Sequence, residues 1–168
     1  MRVAVTGTPG VGKTTVAQRL ADDRSVGYVD ITERVREGAS SGYDAERGAP
    51  VADIDALRAS VPDDAVLDGH LSHRLSPDYV VVLRCEPDVL RSRLEERGWR
   101  DAKVDENVEA EALDVTAAEA LDVGAPVFEF DTTDATVDGT VGRVAEAVEN
   151  RETRTGVVDW SAYVGGAL

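Results

Sequence analysis

Residues 7–15 are Gly7-Thr8-Pro9-Gly10-Val11-Gly12-Lys13-Thr14-Thr15, and they match the pattern G-x-x-x-x-G-K-[ST] in full. The stretch follows a short apolar run at residues 3–6, typical of a buried strand, and it leads into a helical pattern at residues 12–22. A phosphate-binding loop must leave a strand and enter a helix, because backbone N–H groups and the helix N-terminus together hold the anion. The stretch therefore predicts a binding site for a nucleoside triphosphate.

The side chains of this loop have separate predicted roles. Lys13 is expected to lie across the β- and γ-phosphates, and the Thr14 hydroxyl is expected to ligate Mg²⁺. The glycines allow the phosphates to approach the backbone where a Cβ would block them. The predicted nucleotide-binding residues of the loop are Gly10, Val11, Gly12, Lys13, Thr14 and Thr15.

Short apolar runs alternate with helical patterns along the rest of the chain. We predict strands at residues 3–6, 27–30, 65–68, 79–83 and 126–130. We predict helices at residues 12–22, 31–37, about 52–59, 87–97, about 105–121 and 137–150, with a turn-rich loop at 38–43. This alternation indicates an α/β fold, with an open parallel sheet of about five strands and helices on both faces. One domain over residues 1–168 is expected, with a tail that docks on it from residue 156 onward.

Composition excludes several classes of protein. The chain has 33 acidic and 18 basic residues and a net charge of −15, as in salt-adapted proteins, so broad binding to nucleic acid is not expected. No apolar stretch approaches the roughly 18 residues of a membrane span, and the apolar start is too short for a signal peptide. A cytoplasmic protein is therefore expected. With Cys85 alone and two histidines, neither an internal disulfide nor a structural zinc site of the usual kind is expected.

The region after the third predicted strand offers candidates for metal binding and catalysis. Asp68 ends that strand, so its carboxylate is expected beside the loop, where it would hold Mg²⁺ directly or through water. The alternative is a strand-ending aspartate without a role. His70 could orient an attacking water or contact a γ-phosphate, or it could be a loop histidine of no consequence. For His73, the only argument for a role at the site is its proximity to these residues in the chain.

Arginines near the end of the helix predicted at residues 87–97 could neutralise the charge on a transferred phosphoryl group. Gly98 can end this helix and act as a hinge. A short lid over about residues 96–106 is therefore predicted to carry Arg97 or Arg100 to the phosphates. Two further arginines of this helix are interpreted as solvated partners of its glutamates at positions 95 and 96: Arg91 and Arg93.

The motifs together resemble the adenylate kinase isoenzyme 6 family, also called coilin-interacting nuclear ATPase, which includes archaeal ribosome-maturation homologues. The resemblance runs from residue 1 to about residue 150. It rests on the loop at residues 7–15, the Asp68-x-His70 pair, Val82-Leu83-Arg84, the helix end at residues 93–99, and the acidic segment at residues 105–111.

This resemblance implies a nucleoside monophosphate kinase fold and transfer of the γ-phosphoryl group of ATP, with Mg²⁺, to AMP or a related monophosphate. It implies a monophosphate-binding insert at about residues 30–51, where Arg36 meets the monophosphate. It also implies that Arg97 contacts ATP from the lid at about residues 96–106. The implied catalytic residues are Lys13, Asp68, His70 and Arg97, with Thr14 and Asp68 at the metal.

Members of the family also hydrolyse ATP and bind ribosomal protein number eleven of the small subunit during late rRNA maturation. The alternative to a nucleotide-metabolism enzyme is therefore a dedicated ATPase assembly factor whose kinase activity is incidental. The insert keeps only part of the family's Tyr-Asp-rich pattern, and the tail at residues 151–168 matches nothing in the family. Shikimate and cytidylate kinases share the loop and topology, but their acceptor-site patterns are not found. The N-K-x-D segment of switch GTPases is absent from the sequence.

Overall fold

The computed structural model of the protein describes residues 1–45 and 48–166. It contains a parallel sheet of five strands and a separate antiparallel hairpin. The strands are β1 (Arg2–Thr6), β2 (Gly27–Asp30), β3 (Ser40–Asp44), β4 (Ala49–Ala52), β5 (Ala65–Asp68), β6 (Tyr79–Arg84) and β7 (Val127–Asp131). The order across the parallel sheet is β2-β5-β1-β6-β7, so the strand that leads into the glycine-rich loop is central. The predicted open parallel sheet of about five strands is confirmed.

The helices follow the predicted alternation with the strands. They are α1 (Lys13–Arg24), α2 (Ile31–Arg36), α3 (Ile54–Ser60), α4 (Pro87–Glu96), α5 (Asp101–Ala112), α6 (Val115–Asp122), α7 (Val137–Asn150) and α8 (Ser161–Gly166). Within residues 1–45 and 48–166, no helix has the length and apolar character needed to cross a membrane.

Both faces of the parallel sheet are covered by helices. Val3 and Val5 of β1 belong to the main apolar core, together with residues of α1, α4, α5 and α7. Ala4 faces the opposite side and packs with α6, while a third cluster joins β2 and β5 to α2 and α3. Strands β5 and β6 are buried along their whole length, which explains why their sequences are continuous apolar runs.

The turn-rich loop predicted at residues 38–43 is instead largely a strand. Strand β3 pairs antiparallel with β4, and Tyr43 lies opposite Pro50. Tyr43 is exposed, whereas Ala52 of β4 packs against the cluster that contains residues of α2 and α3. The residues of β3 lack the apolar alternation of a half-buried strand because none of them is buried. The pairing with β4 alone makes this segment a strand.

The single helix predicted at residues 105–121 is also wrong, since α5 and α6 are separated there by Leu113 and Asp114. Asp114 has a φ of 56°, in the left-handed region that aspartate tolerates better than most residues. Its carboxylate binds the buried guanidinium of Arg84 at the end of β6. This contact comes from a distant element, so helical spacing alone could not reveal the break.

The tail returns to the sheet after α7. Arg154 forms a parallel bridge with Phe128 of β7, and the Val157 N–H donates to the buried carboxylate of Glu129. Tyr163 of α8 packs against the main core. The docking predicted for this tail is confirmed as far as residue 166, and residues 167–168 lie outside the described part.

Candidate active site

The glycine-rich loop curves over the N-terminus of α1. Gly7 has a φ of 136°, and a Cβ there would lie 2.4 Å from the Leu83 carbonyl oxygen. Gly10 has a φ of 102°, and a Cβ there would lie 2.6 Å from a methyl group of Leu90. Both positions therefore require glycine. The N-cap of α1 is Gly12, and no described side chain caps the helix, so its first N–H groups can bind an anion.

Lys13 is folded back onto its own loop. Its Nζ donates a hydrogen bond to the carbonyl oxygen of Thr8 at 3.0 Å. Burial lowers the pKa of Lys13 to about 8; the carboxylates of Asp68 and Glu111 oppose this decrease, and Arg97 adds to it. The ammonium group is therefore charged at neutral pH, and it loses its charge as the pH rises through about 8.

Asp68, at the end of β5, lies beside Thr14 as predicted. The hydroxyl groups of Thr14 and Tyr28 both donate to Asp68 Oδ2, at 2.7 and 2.9 Å. The other carboxylate oxygen, Oδ1, is buried and has no hydrogen-bond partner among the described residues. An unpaired carboxylate oxygen beside a hydroxyl fits Mg²⁺, which takes oxygen ligands and keeps several waters. The two predicted metal ligands are thus brought together in a suitable arrangement.

The two histidines have different surroundings. His70 borders the cavity beside the loop, and partial burial together with the charge of Lys13 lowers its pKa. Its imidazole is therefore neutral at pH 7. His73 is buried, with Nδ1 3.2 Å from the Thr6 hydroxyl and Nε2 3.3 Å from a carboxylate oxygen of Glu119. His73 thus connects the end of β1 to α6 and does not reach the cavity.

A cavity of about 420 Å³ lies between the loop, α2 and the end of α4. Two exposed arginines reach it from different elements, Arg36 from the last turn of α2 and Arg97 from the residue after α4. Arg100 does not line it, so Arg97 is the better of the two predicted lid arginines. The predicted site residues that line the cavity are Gly10, Gly12, Lys13, Thr14, Thr15, Arg36, Asp68, His70 and Arg97.

A second cavity of about 210 Å³ lies on the other side of the loop. Val11, the remaining predicted loop residue, lines it together with Arg97, which therefore borders both cavities. The Thr132 hydroxyl, just after β7, lies 2.8 Å from the Arg84 carbonyl oxygen and 3.1 Å from the Val11 carbonyl oxygen, with one proton to donate between them. The contact with Val11 links the loop to the segment after β7, which also lines the second cavity.

Arg91 and Arg93 do not pair with glutamates of their own helix as predicted. Arg91 forms an ion pair with Asp105 of α5 at 2.7 Å. Arg93 donates to the carbonyl oxygens of Thr132 and Thr133, each at 3.0 Å. The prediction is wrong because α4 packs with these side chains toward α5 and the segment after β7, and the tertiary partners replace the local ones.

Two groups at the site were not identified from the sequence. Glu111 of α5 is buried and accepts a hydrogen bond from the Thr8 hydroxyl, and Tyr28 of β2 donates to the predicted metal ligand. Glu111 lies at helical spacing from Val104 and Val108 on the buried face of α5. An acidic residue in such a position is the signal that could have identified it. Tyr28 carries no such signal, because tyrosine is common in strands.

The strand order, the central strand–loop–helix unit and the cavity beside it define the fold of the P-loop kinases. Shikimate kinase from Bacteroides thetaiotaomicron has the same fold with a TM-score of 0.59, covering 89% of this chain and 98% of that one. The two sequences are 20% identical, so this likeness concerns the fold alone.

Comparison of sequences gives the family. Residues 3–114 match the model of the AAA domain family. A Methanocaldococcus jannaschii protein named "Putative adenylate kinase" is 41% identical over 168 residues, covering 96% of this chain and 93% of that protein. A protein of the same name from Natronomonas pharaonis is 45% identical over 174 residues, covering 98% of this chain and 100% of that protein. The chain belongs to the AAA domain family and to the family of these archaeal proteins.

Proposed function

We propose that the protein is a nucleoside monophosphate kinase of the adenylate kinase type, which transfers the γ-phosphoryl group of Mg-ATP to AMP or a related monophosphate. The observation that carries this proposal is the cavity in which Lys13, Arg36 and Arg97 face the Thr14–Asp68 pair. Three cations around one cavity suit a site for two phosphorylated ligands. The name of the archaeal relatives supports the proposal.

In the proposed complex, the loop N–H groups and the N-terminus of α1 hold the phosphates of ATP. Lys13 exchanges the Thr8 carbonyl oxygen for oxygens of the β- and γ-phosphates. Thr14 and Asp68 would hold Mg²⁺, and the ion would supply positive charge to offset that of the phosphates. The second cavity, beside Val11, has room for another part of the nucleotide.

Arg36 holds the phosphate of the acceptor at the opposite side of the main cavity. An oxygen of that phosphate attacks the γ-phosphorus in line while the bond to the β-phosphate oxygen breaks, and two diphosphates result. Arg97 neutralises charge on the transferred group, and the loop fixes the geometry. No general base is required, because the attacking oxygen is already an anion.

We also propose a division of the chain into working parts within one domain at residues 1–168. The insert at about residues 30–51 contains α2 and the β3–β4 hairpin, with residues 46–47 outside the described part. The lid at about residues 96–106 contains the end of α4, the Gly98 turn and the start of α5. The tail at residues 151–168 docks on β7 and the main core as far as it is described.

The kinase proposal is tested by measuring ADP release with ATP and Mg²⁺ alone, and then with AMP, CMP or GMP added. AMP or a related monophosphate is expected to increase ADP release well above the rate with ATP alone. Omission of Mg²⁺ is the control for the metal. A rate that no monophosphate changes would contradict the kinase proposal and leave ATP hydrolysis as the activity.

A second candidate function is an ATPase that assists assembly of the small ribosomal subunit in the cytoplasm. His70 favours it, because a neutral imidazole at the main cavity can orient an attacking water. The resemblance to the adenylate kinase isoenzyme 6 family supports ribosomal protein number eleven of the small subunit as partner. A chain with a net charge of −15 would complement such a basic protein electrostatically.

The partner proposal is tested by pull-down of that ribosomal protein with and without ATP in molar KCl. Attraction by charge alone fades as the Debye length shrinks to about 3 Å, whereas a packed interface persists. A one-to-one complex that responds to ATP is the expected result, since a nucleotide drives a partner only by binding two states differently. No recovery in either condition, with robust kinase activity, would contradict the assembly role.

A further inference from the structure

Thr8 connects the phosphate-binding loop to the body beneath it. Its carbonyl oxygen accepts hydrogen bonds from Lys13 Nζ at 3.0 Å and from the Val11 N–H at 3.4 Å. Its hydroxyl donates to Glu111 Oε2 of α5 at 2.6 Å. The residue is only 2% exposed. One buried threonine therefore holds the lysine and the loop turn and links both to α5.

The other carboxylate oxygen of Glu111 accepts hydrogen bonds from residues at the end of a neighbouring strand. Oε1 accepts from Arg84 Nε at 2.7 Å and from the Cys85 N–H at 3.2 Å. The backbone carbonyl of Glu111 also accepts from Arg84 Nη2, at 3.2 Å. The carboxylate thus joins the loop after β1 to the end of β6. The contact with the Arg84 guanidinium is a charge-assisted one, which is stronger than a hydrogen bond between neutral groups.

Arg84 does not depend on the contact between Glu111 and the loop. Its guanidinium also binds Asp114 and lies 3.5 Å from Glu129 Oε1. Its bond to Glu111 Oε1 leaves Oε2 for Thr8. Loss of the Thr8 hydroxyl would leave the ion pairs of Arg84 in place, but it would remove the partner of the buried Oε2 and so lower stability. Ligand binding is therefore compared only where each variant is folded.

We propose that Glu111 is a positioning residue for phosphoryl transfer. Acting through Thr8, it holds the backbone of the phosphate-binding loop in the shape that receives the triphosphate, and the Thr8 carbonyl oxygen holds Lys13 until phosphate oxygens replace it. Helix α5 begins at Asp101, within the proposed lid, and Glu111 lies on that same helix. Helix α5 therefore contacts the loop through Glu111 and also forms part of the proposed lid. This inference rests on the proposed function, since it concerns how the same site receives ATP.

The decisive comparison is between Thr8→Val, which removes the hydroxyl but keeps the branched shape, and Thr8→Ser, which keeps the hydroxyl. The dissociation constant of the non-hydrolysable analogue AMP-PNP with Mg²⁺ is measured, together with kcat and both KM values. For Thr8→Val we expect about tenfold weaker binding of the analogue and a loss of about 10- to 100-fold in kcat/KM for ATP, because small misplacements of a site are costly. The KM for AMP is expected to stay unchanged, and Thr8→Ser is expected to stay within about threefold of the wild type.

Glu111→Met, which keeps the length of the side chain but cannot accept the Thr8 hydrogen bond, and the double variant with Thr8→Val supply a second measurement. If both residues act through one hydrogen bond, the double variant binds the analogue no more weakly than Glu111→Met alone. Additive losses would overturn the inference. Should Glu111→Met fail to fold, the comparison of Thr8→Val with Thr8→Ser still decides.

The outcomes distinguish this inference from the proposed function. Measurements are made well below the melting temperature of each variant, so that loss of fold does not enter. If Thr8→Val binds AMP-PNP as the wild type does, Glu111 is only structural and the inference fails while the proposed function stands. If the wild type itself does not bind AMP-PNP, the inference and the proposed function fail together.

Discussion

The two walls of the main cavity are built in different ways. On the loop wall, Lys13, Thr14 and Asp68 each form a hydrogen bond of 2.7–3.0 Å, either within the loop or to a neighbouring strand, and Asp68 is buried. On the opposite wall, Arg36 and Arg97 are exposed side chains at helix ends. The loop wall is therefore held in place before a ligand binds, and only Lys13 has to exchange its partner, whereas the exposed arginines can adjust to a ligand.

This difference suggests a division of labour between the walls. A preorganised wall stabilises charge without reorganising at the moment of reaction, which suits the triphosphate and its metal. Exposed arginines beside a hinge glycine such as Gly98 suit groups that close over a ligand after it binds. Changes in the loop wall should affect every reaction of ATP, and changes in the arginine wall should separate one ligand from the other.

The largest effect is expected for Lys13→Ala, which removes the only side-chain cation of the loop. Phosphotransfer and ATP hydrolysis should both fall by at least about 10²- to 10³-fold, as when one group that stabilises the transition-state charge is lost. Rates are measured by ADP release, and thermal unfolding verifies that the variant is folded. Turnover at the wild-type rate would contradict the assignment of the nucleotide site.

Arg97→Ala tests whether the arginine wall takes part in the chemical step. Because Arg97 lines both cavities, its loss is expected to lower kcat for phosphotransfer about 100-fold. Arg100→Ala is the matched variant three residues along, and it should have a much smaller effect because Arg100 lines neither cavity. Equal losses in the two variants would point to a general effect of charge in this segment.

Arg36→Ala should separate the acceptor from ATP. The KM for AMP is expected to rise about tenfold, the worth of one charge-assisted hydrogen bond, with little change in the KM for ATP. Arg34→Ala, on the same helix, is the matched control because Arg34 lines neither cavity. A rise in the KM for ATP as large as that for AMP would contradict the assignment of Arg36 to the acceptor phosphate.

The loop wall should also give the reaction a pH dependence. The pKa of Lys13 is lowered to about 8, so its charge is present at pH 7 and is lost as the pH rises through that value. The kcat/KM for ATP, which reports the free enzyme, is expected to fall about tenfold between pH 7 and pH 9. Bound phosphates raise the pKa of Lys13, so kcat should fall only at higher pH. A flat kcat/KM profile up to pH 9, with the fold intact, would show that Lys13 keeps its charge.

The smallest and most selective effect is expected for His70→Ala. Hydrolysis with ATP alone should fall about tenfold, because water needs an orienting group, whereas transfer to AMP should fall less than about twofold. A bound monophosphate is positioned by its own contacts. Equal losses in both assays would instead indicate a shared role, such as support of Asp68.

Much of the fold followed from local pattern. The strand–loop–helix unit around residues 7–15 and the continuous apolar runs of β5 and β6 depend on residues that are neighbours in the chain. The hairpin β3–β4 and the break at Asp114 were not predicted, because each depends on a contact with another segment of the chain. Strand β3 depends on β4, and Asp114 binds Arg84.

The candidate site divides in the same way. The sequence by itself determined the loop, its lysine and its threonine, because a phosphate-binding loop requires particular residue types at fixed spacing. Only the tertiary structure placed Arg36 and Arg97 at one cavity and Glu111 beneath Thr8. Side-chain spacing along a helix indicates which face is buried, but the group that meets that face depends on how distant elements pack.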